Sequence, residues 1–397
     1  MASILTNNGA ITALQTLRSI NQNLATTQSE VATGKRVATA KDNAAFFAIS
    51  SVMQSDVNGF KAISDTLALG DATVGVARSG AETVTGLLND LKGRIVAAQE
   101  SNVDRSKIQA DVAELRNQTT ATVDASQFNG LNFLKGDKNN PTISILGSLN
   151  RSAAGVTTSN VNIARSSLEG GATTPAATFA GGAAAAAAVT VVSTNLKAGD
   201  VIAVALTDAT NGEGAIASYT VKASDLTGVL ATDNDKITDG IIAAIDAAKP
   251  RLSGIEASIT AASAAGSGVV TIARSGAATD PDLTVRTSQG GGLAALSLVD
   301  VGTAEGAKAA LSAIEGLIQT SVNSAASFGS AQKRIENQSN FISKVSDSLT
   351  SGIGALVDAD LEAASARLQA LQVQQQLGVQ ALSIANQQPQ SILSLFR

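Results

Sequence analysis

Three short stretches hold residue types at spacings that can do chemistry. Gly212-Glu213-Gly214-Ala215-Ile216-Ala217 fits G-x-G-x-x-A, the pattern that cradles a dinucleotide phosphate when it follows a strand and opens a helix. Here it leads into a second strand-like segment, Ile216 to Lys222, so the phosphate-binding helix end is missing and a hairpin turn is expected. Asp233-Asn234-Asp235 with Asp239-Gly240 has the flavour of a calcium loop, but the ligand order is wrong. Its twelfth position is Ala244 where a bidentate Glu is required, so helix capping is the expected role. Asn117, Asn150 and Asn337 stand in Asn-x-Ser/Thr sequons, which carry little weight without a secretory pathway.

Composition removes most other chemistry. The chain has 397 residues, no His and no Cys. Without imidazole the commonest general base, proton shuttle and metal ligand is gone, and without thiols so are disulfides and thiolate metal sites. No nucleophile has a base beside it in the sequence. The expectation is therefore no enzyme, no cofactor and no metal. A net charge of −5 argues against a nucleic-acid partner. No long apolar run is present, so no membrane partner is expected. The opening residues, MASILTNNGAITALQTL, lack a basic region ahead of an apolar core. The expectation is a cytosolic protein, or one exported by a route that leaves the N-terminus uncut.

What remains is shape, and the ends of the chain dominate it. From Leu361 to Arg397, small or apolar residues recur by threes and fours: Leu361, Ala364, Leu368, Leu371, Gly378, Leu382 and Ala385, with Gln375 interrupting. Gln369 to Phe396 contains no charged side chain. Residues 1–40 mirror this with Ala10, Ala13, Leu17, Ile20, Leu24, Thr27 and Val31, a start signal at Asn7-Asn8-Gly9 and a break at Gly34-Lys35. A helix with an apolar stripe and an uncharged back expects protein on more than one side. Isolated helices are marginal in water, so the two ends are expected to pair and to bury their remaining faces against other subunits.

Between the ends lie two kinds of sequence. Ser50 to Gln99 reads as one long helix with Val52, Val57, Phe60, Ile63, Leu67, Val74, Val84, Leu88, Leu91 and Ile95 on its apolar face. Gly70, Gly75, Gly80, Gly86 and Gly93 either break it or allow close approach of another helix. Asp104 is a candidate N-cap for a second helix carrying Ile108, Val112, Leu115, Thr119 and Val123, ended by Gln127-Phe128-Asn129-Gly130. Strand-like runs follow at 142–146, 189–193, 201–206, 218–222, 255–260, 269–273 and 283–287, with a helix at 237–249 and a low-complexity, linker-like tract at 181–188. Helical spacing returns near Thr303 with Ala307, Leu311, Ile314, Leu317, Ile318, Val322, Ala325 and Phe328, and continues to the final segment.

The fold class expected is mainly α with an α+β insertion. The terminal helices form a coiled-coil or bundle core, and a β-rich outer domain with a mostly antiparallel sheet lies mid-chain. The expected division is 1–40 and 353–397 for the terminal helices, 41–170 and 296–352 for the helical segments next to them with a short β segment, and 171–295 for the inserted α+β domain. The helical arms should carry assembly, leaving the middle removable.

Several stretches together resemble bacterial flagellin, most closely that of alphaproteobacteria. They are Ser3-Ile4-Leu5-Thr6-Asn7, Ala32-Thr33-Gly34-Lys35-Arg36-Val37, Asp42-Asn43-Ala44-Ala45, Ser126 to Gly130, and Ala385-Asn386-Gln387 through to Leu393-Ser394-Leu395-Phe396-Arg397. The resemblance implies a filament subunit that polymerises with itself for swimming motility. The implied polymerisation interface is Leu17, Ile20, Leu24, Val31, Leu361, Leu368, Leu371, Leu382, Ile392, Leu395 and Phe396. It also implies further partners: the flagellar cap, the hook-junction proteins, the export apparatus and a chaperone. The implied location is the extracellular filament, reached by the flagellar type III route. The alternatives are a minor flagellin-like hook–filament junction protein and a surface carbohydrate-binding protein. The family's innate-immune recognition stretch corresponds to Leu88-Asn89-Asp90-Leu91-Lys92-Gly93-Arg94, whose charges differ from the family pattern, so weak recognition is expected.

Overall fold

A computed structural model describes residues 7–152, 155–173, 177–179, 186–191, 196–252, 259–274 and 283–394. The helices are α1 (Asn8–Thr33), α2 (Ala44–Ala97), α3 (Arg105–Ala125), α4 (Leu230–Ala248), α5 (Ala304–Val357) and α6 (Leu361–Ser394). The strands are β1 (Thr142–Ser152), β2 (Gly155–Ala164), β3 (Gly171–Thr173), β4 (Ala177–Phe179), β5 (Ala186–Thr190), β6 (Val201–Asp208), β7 (Glu213–Thr220), β8 (Ile259–Ser263), β9 (Val269–Arg274) and β10 (Leu283–Gly290). Two compact units result, one of residues 1–64 and 340–397, the other of residues 65–339.

In the first unit, local signals set each helix end. Asn7 Oδ1 accepts from the Ala10 amide at 3.0 Å, and Gly34 closes α1 in the left-handed conformation at φ 67°. Asp42 then fixes the connecting turn, accepting from the Thr39 amide at 2.8 Å, the Thr39 hydroxyl at 3.0 Å and the Ala38 amide at 3.1 Å. The Thr39 amide, followed by its hydroxyl, holds the Asp42 carboxyl below the usual carboxylate range. Asn43 caps α2 through Ala45 and Phe46, and Asp360 caps α6 through Glu362 and Ala363.

In the second unit the helices carry a dry seam. Leu67, Val74, Val84, Leu88 and Ile95 of α2 are fully buried, as are Ile314 and Phe328 of α5 and Val112 of α3. Phe133, from the turn after α3, meets Phe328 edge-on with ring centres 5.8 Å apart. Two expected core positions of this unit, Leu311 and Val322, are exposed instead, as is Val52 in the first unit. On α5, Ser321 and Ser324 take buried places beside the exposed Val322. Ser321 Oγ donates to the Ala81 carbonyl at 3.0 Å, and Thr85 donates to Ser321 Oγ at 2.9 Å. Small hydroxyls that satisfy each other let two helices approach closely, and a search for large apolar residues passes over them.

The glycines do not break α2, which is one helix of 54 residues. A Cβ at Gly70 would strike Ile145 of β1, and one at Gly80 would lie 2.8 Å from Ser126 Cβ and 2.9 Å from Leu134 Cδ1. The close neighbours are thus a strand and a turn, whereas Gly86 and Gly93 meet open space. Asn129 at φ 49° and Gly130 at φ 80° form the tight turn that ends this region, between Phe128 and Leu131.

Every strand pair among the described residues is antiparallel. β1 and β2 form a hairpin, β3-β10-β6-β7 with β4 on β10 a second sheet, and β5-β9-β8 a third. Two sheets and α4 enclose a core of Val204, Leu206, Ile237, Ile241, Val270 and Leu283. The expected 237–249 helix starts earlier, at Leu230, because Asp233 stabilises its first turn. Ala186–Ala188, read as linker, is part of β5 and pairs with Thr271–Ala273 of β9; residues 181–185 lie outside the described residues. β2 is not expected from the sequence: from Gly155 to Asn160 it is exposed and, Val156 apart, without large apolar side chains, so no alternation marks it.

Candidate functional site

The motifs with apparent chemistry are structural. Gly212 has φ 62° and closes the turn between β6 and β7, while buried Asp208 accepts from the Thr210 amide at 2.9 Å and Asn211 Nδ2 at 2.8 Å. The Asp233 carboxylate accepts from the Thr227 amide at 2.7 Å, the Thr227 hydroxyl at 2.5 Å and the Gly228 amide at 3.1 Å. The Thr227 hydroxyl is the main cause holding that carboxyl below its ordinary value. Asn234 Nδ2 donates to the Gly266 carbonyl at 3.1 Å. Asp235 Oδ1 accepts from the Gly266 amide. These acids cap turns, and they are turned toward backbone donors. Among the described residues, no cluster of acids arranged to hold a metal ion occurs, and no helix is long and apolar enough to cross a membrane.

One ionisable pair stands out in the β-rich part. Tyr219 donates to Asp225 Oδ2 at 2.6 Å. Burial, then that hydrogen bond, pushes the Tyr219 phenol up to about 12. Burial pushes Asp225 the other way from its partners, but the Tyr219 hydroxyl and the Lys222 amide outweigh it and leave the carboxyl below its ordinary range. The same carboxylate accepts from the Ser224 hydroxyl at 3.2 Å and the Lys222 amide at 2.8 Å, so the pair ties the end of β7 to the turn that follows it.

The arrangement that can do something is the pair α1 and α6. The Ala359 amide donates to the Gly34 carbonyl at 3.0 Å, Gln375 Nε2 to Asn21 Oδ1 at 2.8 Å, and Asn7 Nδ2 to the Ala385 carbonyl at 2.7 Å. These marks advance along one helix as they retreat along the other, so the helices are antiparallel. Arg36 and Val37 amides donate to the Val357 carbonyl at 2.7 and 3.2 Å and close the far end of the pair.

The inner faces follow the sequence stripes. On α1, Ala10, Ala13, Leu17, Ile20, Leu24 and Val31 are half-buried and Thr27 is buried. On α6 the covered positions are Ala364, Leu368, Leu371, Gln375, Gly378, Leu382 and Ala385, a heptad spacing. Leu371 is only 7% exposed, and a Cβ at Gly378 would lie 3.2 Å from Leu17 Cδ1. Gln375 therefore lies on the stripe, its amide satisfied by Asn21. Leu361 is off it: at the first position of α6, one place after the Asp360 cap, it is exposed. The side chain of Ile392, and Leu395 and Phe396 entirely, lie outside the described residues.

The opposite face of α6 is also apolar. Val373, Leu377 and Ile384 are 55%, 57% and 66% exposed. They sit two residues after Leu371, Gln375 and Leu382, which places them about 200° round the helix. On α1, Ile11 and Leu14 are exposed in the same way. The same helical period marks this second stripe, on the side away from the stronger one. Only Arg18 and Glu30 charge α1. Uncharged exposed stripes of this kind mark interaction surfaces. A cavity of about 390 Å³ in the same unit is bounded by Lys35, Val37, Phe47, Gln54, Asn58 and Ile353. Among the described residues on its wall, Lys35 is the one ionisable group.

Comparison with known proteins agrees with this emphasis on the ends. The model of the bacterial flagellin N-terminal helical region matches residues 4–139, and that of the bacterial flagellin C-terminal helical region matches residues 311–396. Flagellin A of Rhizobium meliloti is 36% identical over 411 residues, covering 100% of this chain and 100% of the relative. Flagellin B of the same organism is 34% identical over 414 residues with the same complete coverage. The flagellin of Brucella melitensis biotype 1 is 32% identical over 398 residues, again covering 100% of both.

Proposed function

The chain belongs to the bacterial flagellin family and is a structural subunit of the flagellar filament, and from that premise we propose that it polymerises through the outward faces of α1 and α6. The observation that carries this is the exposed stripe Val373, Leu377 and Ile384 on a helix without charge from Gln369 onward. Covering the exposed half of each such side chain is worth about 1 kcal/mol. One such stripe cannot hold two subunits together. A helical lattice, which meets every face of every subunit, repeats the small gain many times.

In this reading the inner residues Leu17, Ile20, Leu24, Val31, Leu368, Leu371 and Leu382 align α1 with α6. Leu361, Ile392, Leu395 and Phe396 extend the contact surface beyond the seam. Residues 1–40 and 353–397 form the inner core of the filament, 41–170 and 296–352 the surrounding bundle, and 171–295 the outer domain. The finer partners are the flagellar cap, the hook-junction proteins, and a chaperone and export apparatus of the flagellar type III route, which delivers the subunit to the extracellular filament. The uncharged, apolar character of both ends supports a chaperone, since such surfaces need cover before assembly.

The test is Leu377→Gln combined with Val373→Gln in the full chain. Electron microscopy and sedimentation should find soluble subunits with unchanged helical content and no filaments. Filaments of normal length from the double variant would overturn the assignment of this face.

A further inference from the structure

The chain passes between the helices of residues 65–339 and their attached sheets at Glu169-Gly170-Gly171 and again at Gly290-Gly291-Gly292. By composition, such glycine-rich crossings would be flexible linkers. None of these glycines has a positive φ, so backbone freedom is not what they supply.

Space is what they supply. A Cβ on Gly290 would lie 2.5 Å from the Gly170 carbonyl oxygen and 2.6 Å from Gly171 Cα. On Gly291 it would lie 2.8 Å from both Glu169 Cβ and the Glu169 carbonyl oxygen, and on Gly292 it would lie 2.6 Å from the Ser167 carbonyl oxygen. The obstacles are mostly backbone, which cannot swing aside as a long side chain can. The two crossings are also stitched together: the Gly292 amide donates to the Ser167 carbonyl at 2.9 Å and the Leu293 amide to the Glu169 carbonyl at 3.2 Å. Leu168, Leu293 and Ala294 beside them are fully buried.

Further struts stand on either side. Gly214 of β7 leaves room for the Glu305 carbonyl and Ala309 of α5, and the Ile216 amide donates to Ser312 Oγ at 3.0 Å. Lys308 pairs with Glu213 at 3.1 Å, Arg286 with Asp300 at 3.2 Å, and Lys197 Nζ donates to the Gly136 carbonyl at 3.0 Å. The surface ion pairs add little by themselves. Their placement around the neck removes the directions in which it could bend.

We propose that the glycine-rich neck is a locked joint, which holds the β-rich part at one orientation to the helices before any assembly takes place. The glycines serve interlocking of two backbones, and the lock belongs to the single chain. Its failure would therefore leave the filament reading standing.

The experiment uses the full-length chain, whose lack of cysteine allows two to be added freely. Spin labels at Glu114→Cys on α3 and Asp239→Cys on α4, both exposed, report the distance across the neck. A single narrow distance distribution is expected. The Gly292 and Leu293 amides should exchange at least ~100-fold more slowly than in unstructured chain. Gly291→Val should broaden the distribution and speed that exchange at least about tenfold, while Gly86→Ala, which meets open space, changes neither. Broad or multiple distances in the parent, rapid exchange at those two amides, or a folded Gly291→Val chain that keeps both readings would overturn the proposal. Should Gly291→Val fail to fold, the distances and exchange of the parent decide the matter alone.

Discussion

The seam between α2 and α5 in residues 65–339 and the seam between α1 and α6 obey the same helical spacing, yet they end in different states. In the first, Leu67, Leu88, Ser321 and Phe328 are fully buried. In the second, the deepest side chains are Thr27, Ala364 and Leu371, the rest of the stripe is half-covered, and a further apolar face is open. Period alone does not distinguish a finished core from an unfinished one. The difference lies in the backs of the helices. Lys92 with Glu315 and Arg78 with Glu82 solvate the outer sides of α2 and α5, whereas α6 has no charge after Arg367 among its described residues. A helix without solvating charge is one whose environment is incomplete within its own chain.

The sharpest way to break this comparison is to place a charge in the unfinished seam. Leu371→Asp should abolish filament formation in sedimentation and electron microscopy, while thermal unfolding of the remaining helical signal stays unchanged. Normal filaments would mean that the seam plays no part in assembly. Hydrogen exchange should then separate the two regions. Peptides across Leu361 to Ile384 are expected to exchange orders of magnitude faster in the free subunit than in the filament, as segments that fold on binding do, and those across Leu67 to Leu91 slowly in both. Equal, slow exchange of Leu361 to Ile384 in both states would remove the contrast.

Smaller effects sharpen it. Phe328→Ala should cost about 3–5 kcal/mol in denaturant unfolding of the free chain, because it empties a closed site. Leu371→Ala should cost markedly less in that assay, and a reversed order would show the terminal seam to be the better packed. Within α2, Gly80→Ala should destabilise by about 1–3 kcal/mol by overlap with Ser126 and Leu134. Gly86→Ala, in open space, should stabilise by about 1 kcal/mol.

The smallest effect is a proton. Tyr219 is the sole tyrosine and there is no tryptophan, so ultraviolet absorbance follows its phenol alone. Burial and Asp225 raise it to about 12 in the folded chain, against about 10 when unfolded. A raised value means that its contribution to stability is complete below about pH 10 and is lost as the pH climbs toward 12. A folded chain titrating near 10 would show that Tyr219 is not held as described.

Much of this was legible in the residues. The long helices, the inner stripes of α1 and α6, the antiparallel pairing and the turns at Asn129-Gly130 and Gly212 all follow from spacing and turn chemistry. What was not legible has a common cause: small or polar residues acting as packing. Ser321 and Gln375 occupy seam positions through hydrogen bonds, and β2 carries no apolar alternation. The removability expected of the middle region also meets an obstacle, since β7 lies against the first turns of α5 through Gly214 and Ile216. The outward face of α6 was present in the heptad count but hidden behind its stronger neighbour.

The hydrogen bond from Gln375 to Asn21, with Gly378 three residues further on against Leu17, has a consequence for fidelity. A heptad repeat is blind to a shift of seven: every leucine finds another hydrophobic position, and the misaligned pair is nearly as greasy as the correct one. Slide α6 by that step and Leu368 or Leu382 arrives opposite Asn21, while Leu371 or Ala385 must fit where Gly378 left room for Leu17. One amide loses its partner and one side chain meets an occupied site, at roughly 1–3 kcal/mol for each fault. Since about 1.4 kcal/mol is a factor of ten, two faults together reject an out-of-step alignment by a factor of roughly tens to tens of thousands. The polar rung and the bare glycine thus work as a proofreading mark, which the apolar stripe cannot supply.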